Sequence, residues 1–303
     1  MIVFPLFLIL NKLAFVHNLK KLDELTITGR YNLYTGEVLE YPKSGKDYNL
    51  DIRITNNNAY IKGSMHKYYN ACTENSCHNY NDYTYNDWVL TRSFLCQEFS
   101  TDPKETKVTN LEFGINIITK EDPQKIIDNH LLMFGYKAPS KNLKYSGKGD
   151  YKEFQTSDYS MKIYNKSKQY GLGYNVLRVE LKIVNSRYLK KLGISNIENL
   201  NKEAFHRLFA KFLDNYCKLM IVDNYSNLNI PKTDLDKLNK YTNPNYWINL
   251  KTKVSPSTIA NRKKEFVRIG EKYNLFTLRD TIGYKLGLKF IELMSLDNEQ
   301  DAA

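Results

Sequence analysis

Polar residues recur at alternate positions in three short apolar segments, and their types suit phosphoryl transfer. Glu112 and Asn116 interrupt Leu111, Phe113, Ile115 and Ile117. Lys162 and Tyr164 interrupt Tyr159, Met161 and Ile163, with Lys166 just beyond. Arg178, Glu180 and Lys182 interrupt Leu177, Val179, Leu181 and Ile183. Cleaving a phosphodiester requires a hydroxyl nucleophile in line with the leaving oxygen and positive charge on the equatorial oxygens. A phenol ionises at about pH 10, so Lys162 and Lys166, or a metal, are expected to activate Tyr164. Glu112 and Glu180 offer hard oxygen ligands for Mg2+ or Mn2+, and Asn116 a neutral one. The chain holds 24 tyrosines, and residue chemistry alone does not select Tyr164 among them. An ordinary solvent-facing sheet would show the same alternation.

The elements that must position these groups follow from period and punctuation. Period-2 alternation predicts strands over Leu111–Ile117, Tyr159–Tyr164 and Leu177–Ile183. Gly114 weakens the first of them and suggests that a ligand or backbone approaches there. Asp122-Pro123 predicts a helix start, with Ile126, Ile127, His130, Leu131 and Phe134 on its apolar face. At that spacing His130 reads as a satisfied core residue. A second amphipathic helix is expected through Phe205, Leu208, Phe209, Phe212, Leu213, Tyr216 and Met220. Short strands are expected up to about residue 65, then a polar Tyr/Asn-rich loop, then a helix through Trp88, Val89, Phe94 and Leu95. Lys137 to Lys148 reads as a basic loop. If the three strands pair, their apolar face packs on the helices and the polar groups share the other face. The expected fold is α+β, an antiparallel sheet with helices on one face, its core over 108–222, plus a small basic helical C-terminal region. The boundary falls near residue 230, dividing 1–230 from 231–303.

Ile163-Tyr164-Asn165-Lys166 resembles the nucleophile strand of rolling-circle replication initiators of the Rep_trans type, known from small staphylococcal plasmids, and of related phage and plasmid replication proteins. Leu177-Arg178-Val179-Glu180-Leu181 is similar to their following Arg/Glu strand. Asn110-Leu111-Glu112-Phe113-Gly114-Ile115-Asn116 occupies the place of their acidic strand. The resemblance covers roughly residues 108–185. Glu112 stands where the family has Asp, Asn116 where a second acid is common, and Asn110 where the family has Arg. The resemblance implies that Tyr164 attacks origin DNA and forms a 5′-phosphotyrosyl link, leaving a 3′-OH for a polymerase. It implies Mg2+ or Mn2+ on Glu112 and Glu180, phosphate contacts from Lys162, Lys166 and Arg178, and a host helicase as partner. A homodimer is compatible with it.

Composition frames this reading. A net charge of +11 and a pI near 9.2 suit an anionic partner such as origin DNA. Abundant Lys, Asn, Ile and Tyr would also follow from A+T-rich codon usage. Ser255-Pro256-Ser257 predicts the start of a C-terminal helix carrying Arg262, Lys263, Lys264 and Arg268, expected with Arg178 and Lys182 to contact DNA. Cys72 and Cys77 stand near His66 and His78, but their spacing is wider than the usual zinc pair. Free thiols in a reducing cytoplasm are the expectation. The apolar run Ile2–Leu10 is too short for a membrane span. It reads as a strand, or as the product of a start assigned upstream of the true one. The competing readings are a non-catalytic, sequence-specific DNA-binding protein of a mobile element and a structural protein whose polar face is merely solvated.

Overall fold

The computed structural model describes residues 2–3, 5–19, 27–143 and 151–295. Its strands are β1 (Ile2–Val3), β2 (Leu6–Ile9), β3 (Ile27–Tyr31), β4 (Val38–Asp47), β5 (Leu50–Ile54), β6 (Ala59–Lys62) and β7 (Thr106–Ile118). They continue with β8 (Leu131–Phe134), β9 (Lys141–Leu143), β10 (Tyr151–Gln155), β11 (Tyr159–Asn165), β12 (Val176–Ile183) and β13 (Leu219–Ile221). The helices are α1 (Lys12–Leu19), α2 (Met65–Glu74), α3 (Tyr85–Glu98), α4 (Pro123–Lys125), α5 (Lys166–Tyr170), α6 (Ser186–Lys191) and α7 (Lys202–Tyr216). They end with α8 (Lys232–Tyr241), α9 (Pro244–Lys251), α10 (Pro256–Lys272) and α11 (Thr277–Ser295). The fold is α+β, as expected.

One antiparallel sheet runs in the order β3-β4-β5-β6-β2-β7-β12-β11-β10-β9, with β1 also on β7. β7 holds it together because it is long enough to serve two neighbours on one edge and β12 on the other. Its alternation aims Leu111, Phe113, Ile115 and Ile117 at one core. Helix α7 supplies Phe205, Leu208 and Phe212, α3 supplies Trp88, and α11 supplies Ile282, Leu286 and Phe290. Phe113 meets Phe212 edge-on at 5.6 Å and Phe290 at 6.4 Å. Helix α11 therefore lies on the sheet, although the expected boundary at residue 230 assigned it to the basic C-terminal region. A second, smaller core forms around Leu238, Tyr241, Trp247, Phe266 and Ile269 of α8, α9 and α10.

Several local expectations change. The segment opened by Asp122-Pro123 makes one α turn, then a π turn over Ile126–His130, and Leu131–Phe134 becomes a strand paired with β13. The Lys152 ammonium, from the apolar side of β10, stops the helix by donating to the carbonyls of Ile127 (2.5 Å) and Leu131 (2.8 Å). His130 is satisfied, through Nδ1 and the Val222 carbonyl at 2.8 Å. Helix α7 ends at Tyr216, so Met220 is a strand residue. Helix α2 occupies the start of the stretch read as loop, capped by Ser64. Its inward face includes His66 and Asn70, so hydrophobicity did not mark it. Residues 144–148 of the expected basic loop lie outside the described residues. Among the described residues no helix is long and apolar enough to cross a membrane.

Candidate active site

Register decides which polar side chains meet. Across β7, β12, β11 and β10 the rows run Asn116–Arg178–Tyr164–Tyr151, then Gly114–Glu180–Lys162–Glu153, then Glu112–Lys182–Ser160–Gln155. All the candidates on these strands therefore share one face. At its centre Tyr164 Oη donates to Glu180 Oε1 at 3.2 Å, and Arg178 Nε donates to the same oxygen at 2.5 Å. Arg178 Nη1 donates to Asn116 Oδ1 at 3.1 Å. The guanidinium is fully buried, and among the described residues its Nη2 has no hydrogen-bond partner.

Gly114 is what lets Arg178 and Glu180 converge. A Cβ there would stand 2.7 Å from Glu180 Cγ and 2.8 Å from Arg178 Nη2. The close approach suggested by this glycine is thus made by the protein's own ion pair. Beside it, Lys162 Nζ lies between two phenol rings, 4.4 Å from the Tyr151 centroid and 4.9 Å from that of Tyr164. One row away, Lys182 Nζ donates to Glu112 Oε1 at 2.5 Å.

Lys166 behaves otherwise than expected. It opens α5 directly after the strand and is fully buried, donating to Asn79 Oδ1 (2.6 Å) and Gln169 Oε1 (2.9 Å). Asn79 lies in the segment 75–84, which roofs one end of the polar face. The Asn79 and Tyr80 carbonyls each accept from Asn116 Nδ2 at 3.2 Å, and Tyr170 Oη donates to Asn79 Oδ1 at 2.7 Å. Behind the roof His66 is buried, its Nε2 2.6 Å from Asn81 Oδ1 and its ring stacked on Tyr83.

These surroundings set the protonation states. Burial pushes the Tyr164 hydroxyl well above its ordinary value; Arg178 opposes this and Glu180 adds to it. Tyr164 is therefore a protonated donor at rest. Burial by itself would raise the Glu180 carboxyl, but Arg178, Lys162 and Lys166 outweigh it and hold the group below the usual range. Glu112 is pushed up by burial and by Glu180, against the pull of Lys182. Burial, with Arg178 nearby, brings Lys166 down to about 6.

The donors expected to hold Mg2+ or Mn2+ do not fit a cation as arranged. Glu180 faces Arg178, Glu112 faces Lys182, and the Asn116 amide oxygen accepts from Arg178. A cation entering would displace charges already in place. Among the described residues no three His, Cys, Asp or Glu side chains converge on a metal-sized site, the Cys72/Cys77 region included. The four cysteines are free thiols.

The structure thus brings Tyr164, Glu180, Arg178, Asn116 and Lys162 together and sets Glu112 and Lys182 beside them as a separate pair. Arg178, expected to touch DNA, is sealed from solvent. On α10, Arg262 turns to Glu265 at 3.1 Å, and Lys263 Nζ covers the Tyr136 ring at 4.5 Å. Lys264 and Arg268 are exposed. Sequence reasoning missed Tyr151 and Glu153, which period-2 alternation in β10 could have placed on the same face. It also missed Asn79, a loop residue whose role depends on tertiary contact and leaves no local signal.

No family model matches the chain, and no curated protein matches it. Among solved structures, a rolling circle replication initiator protein from Geobacillus stearothermophilus is similar over 75% of this chain and 88% of that chain, with 13% identity and a TM-score of 0.40.

Proposed function

We propose that this chain nicks and rejoins DNA to initiate rolling-circle replication, with Tyr164 as nucleophile. The observation that carries the reading is the hydrogen bond from Tyr164 Oη to Glu180 Oε1, an acceptor that Arg178 keeps ionised. A raised phenol needs its proton removed as it reacts, and Glu180 already holds that proton in a hydrogen bond. As Oη bonds to phosphorus, the proton passes to Glu180 Oε1. The P–O3′ bond breaks and the 3′-oxygen leaves, taking a proton from solvent or from protonated Glu180. The products are a 5′-phosphotyrosyl link and a free 3′-OH for a polymerase, and the reverse steps close the circle. Lys162, half-buried against the ring, offers positive charge towards the phosphate. Arg178 and Asn116 orient Glu180, and Lys166 supports the roof. Glu112 and Lys182 flank the strand path. The resemblance of the Tyr164 and Glu180 strands to plasmid initiators supports the same assignment. Origin DNA, with a strand exposed by a host helicase, is the substrate this reading requires.

The burial of Arg178 and the closure of its network also suit a second reading, a DNA-binding protein that retains the fold without cutting. Incubating the chain with supercoiled DNA carrying its own locus, in buffer with Mn2+, separates the two. The nicking reading expects a covalent protein–DNA species resistant to denaturation, lost in Tyr164→Phe and about 10²- to 10⁴-fold slower in Glu180→Gln. Persistence of the adduct in Tyr164→Phe would disprove the nucleophile. A gel shift with no nick favours the second reading.

A further inference from the structure

On the sheet face Arg178 and Lys166 are buried and Lys182 is paired with Glu112, so much of the charge open to duplex DNA lies elsewhere. From Lys232 to Lys272 the cations outnumber the carboxylates ten to four. Helices α8, α9 and α10 pack there around Leu238, Tyr241, Trp247, Phe266 and Ile269. Between α9 and α10 run only Thr252, Lys253, Val254 and Ser255. Ser255 caps α10 by accepting from the Thr258 backbone, with Pro256 in the first turn. An eight-residue helix, a four-residue turn and a longer second helix, braced by a third, is the connectivity of motifs that lay their second helix in a DNA major groove.

The faces of α10 agree. Phe266, Ile269 and Gly270 point into the small core, and Phe276 fills the space a side chain at Gly270 would need. The opposite side presents Ser257, Asn261, Lys264 and Arg268 to solvent, with Thr258 at their edge. Glu265 is already neutralised by Lys237 at 2.8 Å and Arg262 at 3.1 Å. Glu271, the exposed acid of this helix, lies at its far end. Lys251 and Lys253, exposed at the turn, extend the basic surface towards α9.

We propose that α9 and α10 form a helix-turn-helix reader of duplex DNA, with Thr258 and Asn261 facing base edges and Lys253, Lys264 and Arg268 holding phosphates. An asparagine amide pairs with both major-groove atoms of adenine, and the lysines and arginine supply the charge that follows the backbone. This assignment deepens the nicking proposal and rests on it only for the identity of the partner as DNA. It places sequence recognition on a different surface from the reaction, so the duplex is chosen by α10 and the strand is cut on the sheet.

The test uses the full chain and a pool of short duplexes with randomised cores, selected by retention on the protein. Wild-type protein should enrich one motif. Asn261→Ala should bind that motif about tenfold to a hundredfold more weakly while binding unrelated duplexes as before. Lys264→Ala and Arg268→Ala should weaken all duplexes alike, each lowering the slope of log affinity against log salt by about 0.9. Failure to enrich any motif, or a motif bound equally by wild type and Asn261→Ala, would overturn the reader. Covalent adduct formation by Asn261→Ala on a single-stranded copy of the nicked strand is scored in parallel. It reports on Tyr164 alone, so loss of the reader and loss of the nicking reading give different results.

Discussion

Lys166 is a residue whose protonation the fold dictates. Burial takes its ammonium from the ordinary 10.5 down to about 6. In that window the unfolded chain binds a proton that the folded chain does not, so stability must rise with pH. The gain approaches about 1.4 kcal/mol per pH unit between about pH 7 and 9. Lys166→Met removes this dependence. Urea midpoints measured across the range should show the wild type gaining on the variant as pH increases. A constant offset would mean that Lys166 stays protonated in the fold, held by Asn79 and Gln169. Gly114 shows how far a single residue could be read. Its place between Glu112 and Asn116 signalled a close approach, and the approach is real. What approaches is Arg178 and Glu180, because both leave β12 on the same face and can meet only above a residue without a side chain.

At the scale of elements, Lys152 turns a predicted helix into a turn and a strand. Its ammonium is buried and donates to the Ile127 and Leu131 carbonyls, with the Asp128 carbonyl at 3.5 Å. Lys152→Met would leave those carbonyls without a donor at the π turn, at a cost of about 1–3 kcal/mol. Urea unfolding should show that loss, and amide exchange should quicken over residues 126–134 more than in β12. Protection unchanged in that segment would mean that the turn holds without the lysine. The contrast explains which elements were legible. β7, β11 and β12 were readable because apolar and polar side chains alternate over residues 111–117, 159–164 and 177–183, with the apolar set buried or half-buried. The turn after Asp122 was not, since Ile126, Ile127, Leu131 and Phe134 fit a helical stripe and the interrupting cation comes from a distant strand. Helix α2 escaped for the opposite reason, with His66 and Asn70 occupying buried positions that an apolar pattern would fill. The site was legible as a shared face. The pairing on that face was not, because partners depend on register between segments far apart in sequence.

On the scale of the whole molecule, two cores share a wall. The ribbon β8–β13 turns Leu131, Phe134, Leu219 and Ile221 towards the sheet core and Met133 and Met220 towards the small helical core. The chain then leaves the helical core and returns along α11 to the sheet. Asp223, just after β13, accepts from the Leu278 backbone in the first turn of that helix. Phe290 on α11 stacks on Phe209 at 3.9 Å and meets Phe113 at 6.4 Å. A reader on α10 is thereby coupled to the sheet at two places. The two tryptophans report on the two cores separately, Trp88 in the sheet core and Trp247 in the helical one. In each single-tryptophan form, Trp88→Phe and Trp247→Phe, urea unfolding followed by the remaining tryptophan and by far-UV circular dichroism should give coincident midpoints. Phe290→Ala, which empties a packed site in the sheet core, should cost about 3–5 kcal/mol and move both signals together. If only the Trp88 signal moved, the helical core would be an independently folding unit, and the coupling through α11 and the β8–β13 ribbon would be too weak to join recognition to the reacting face.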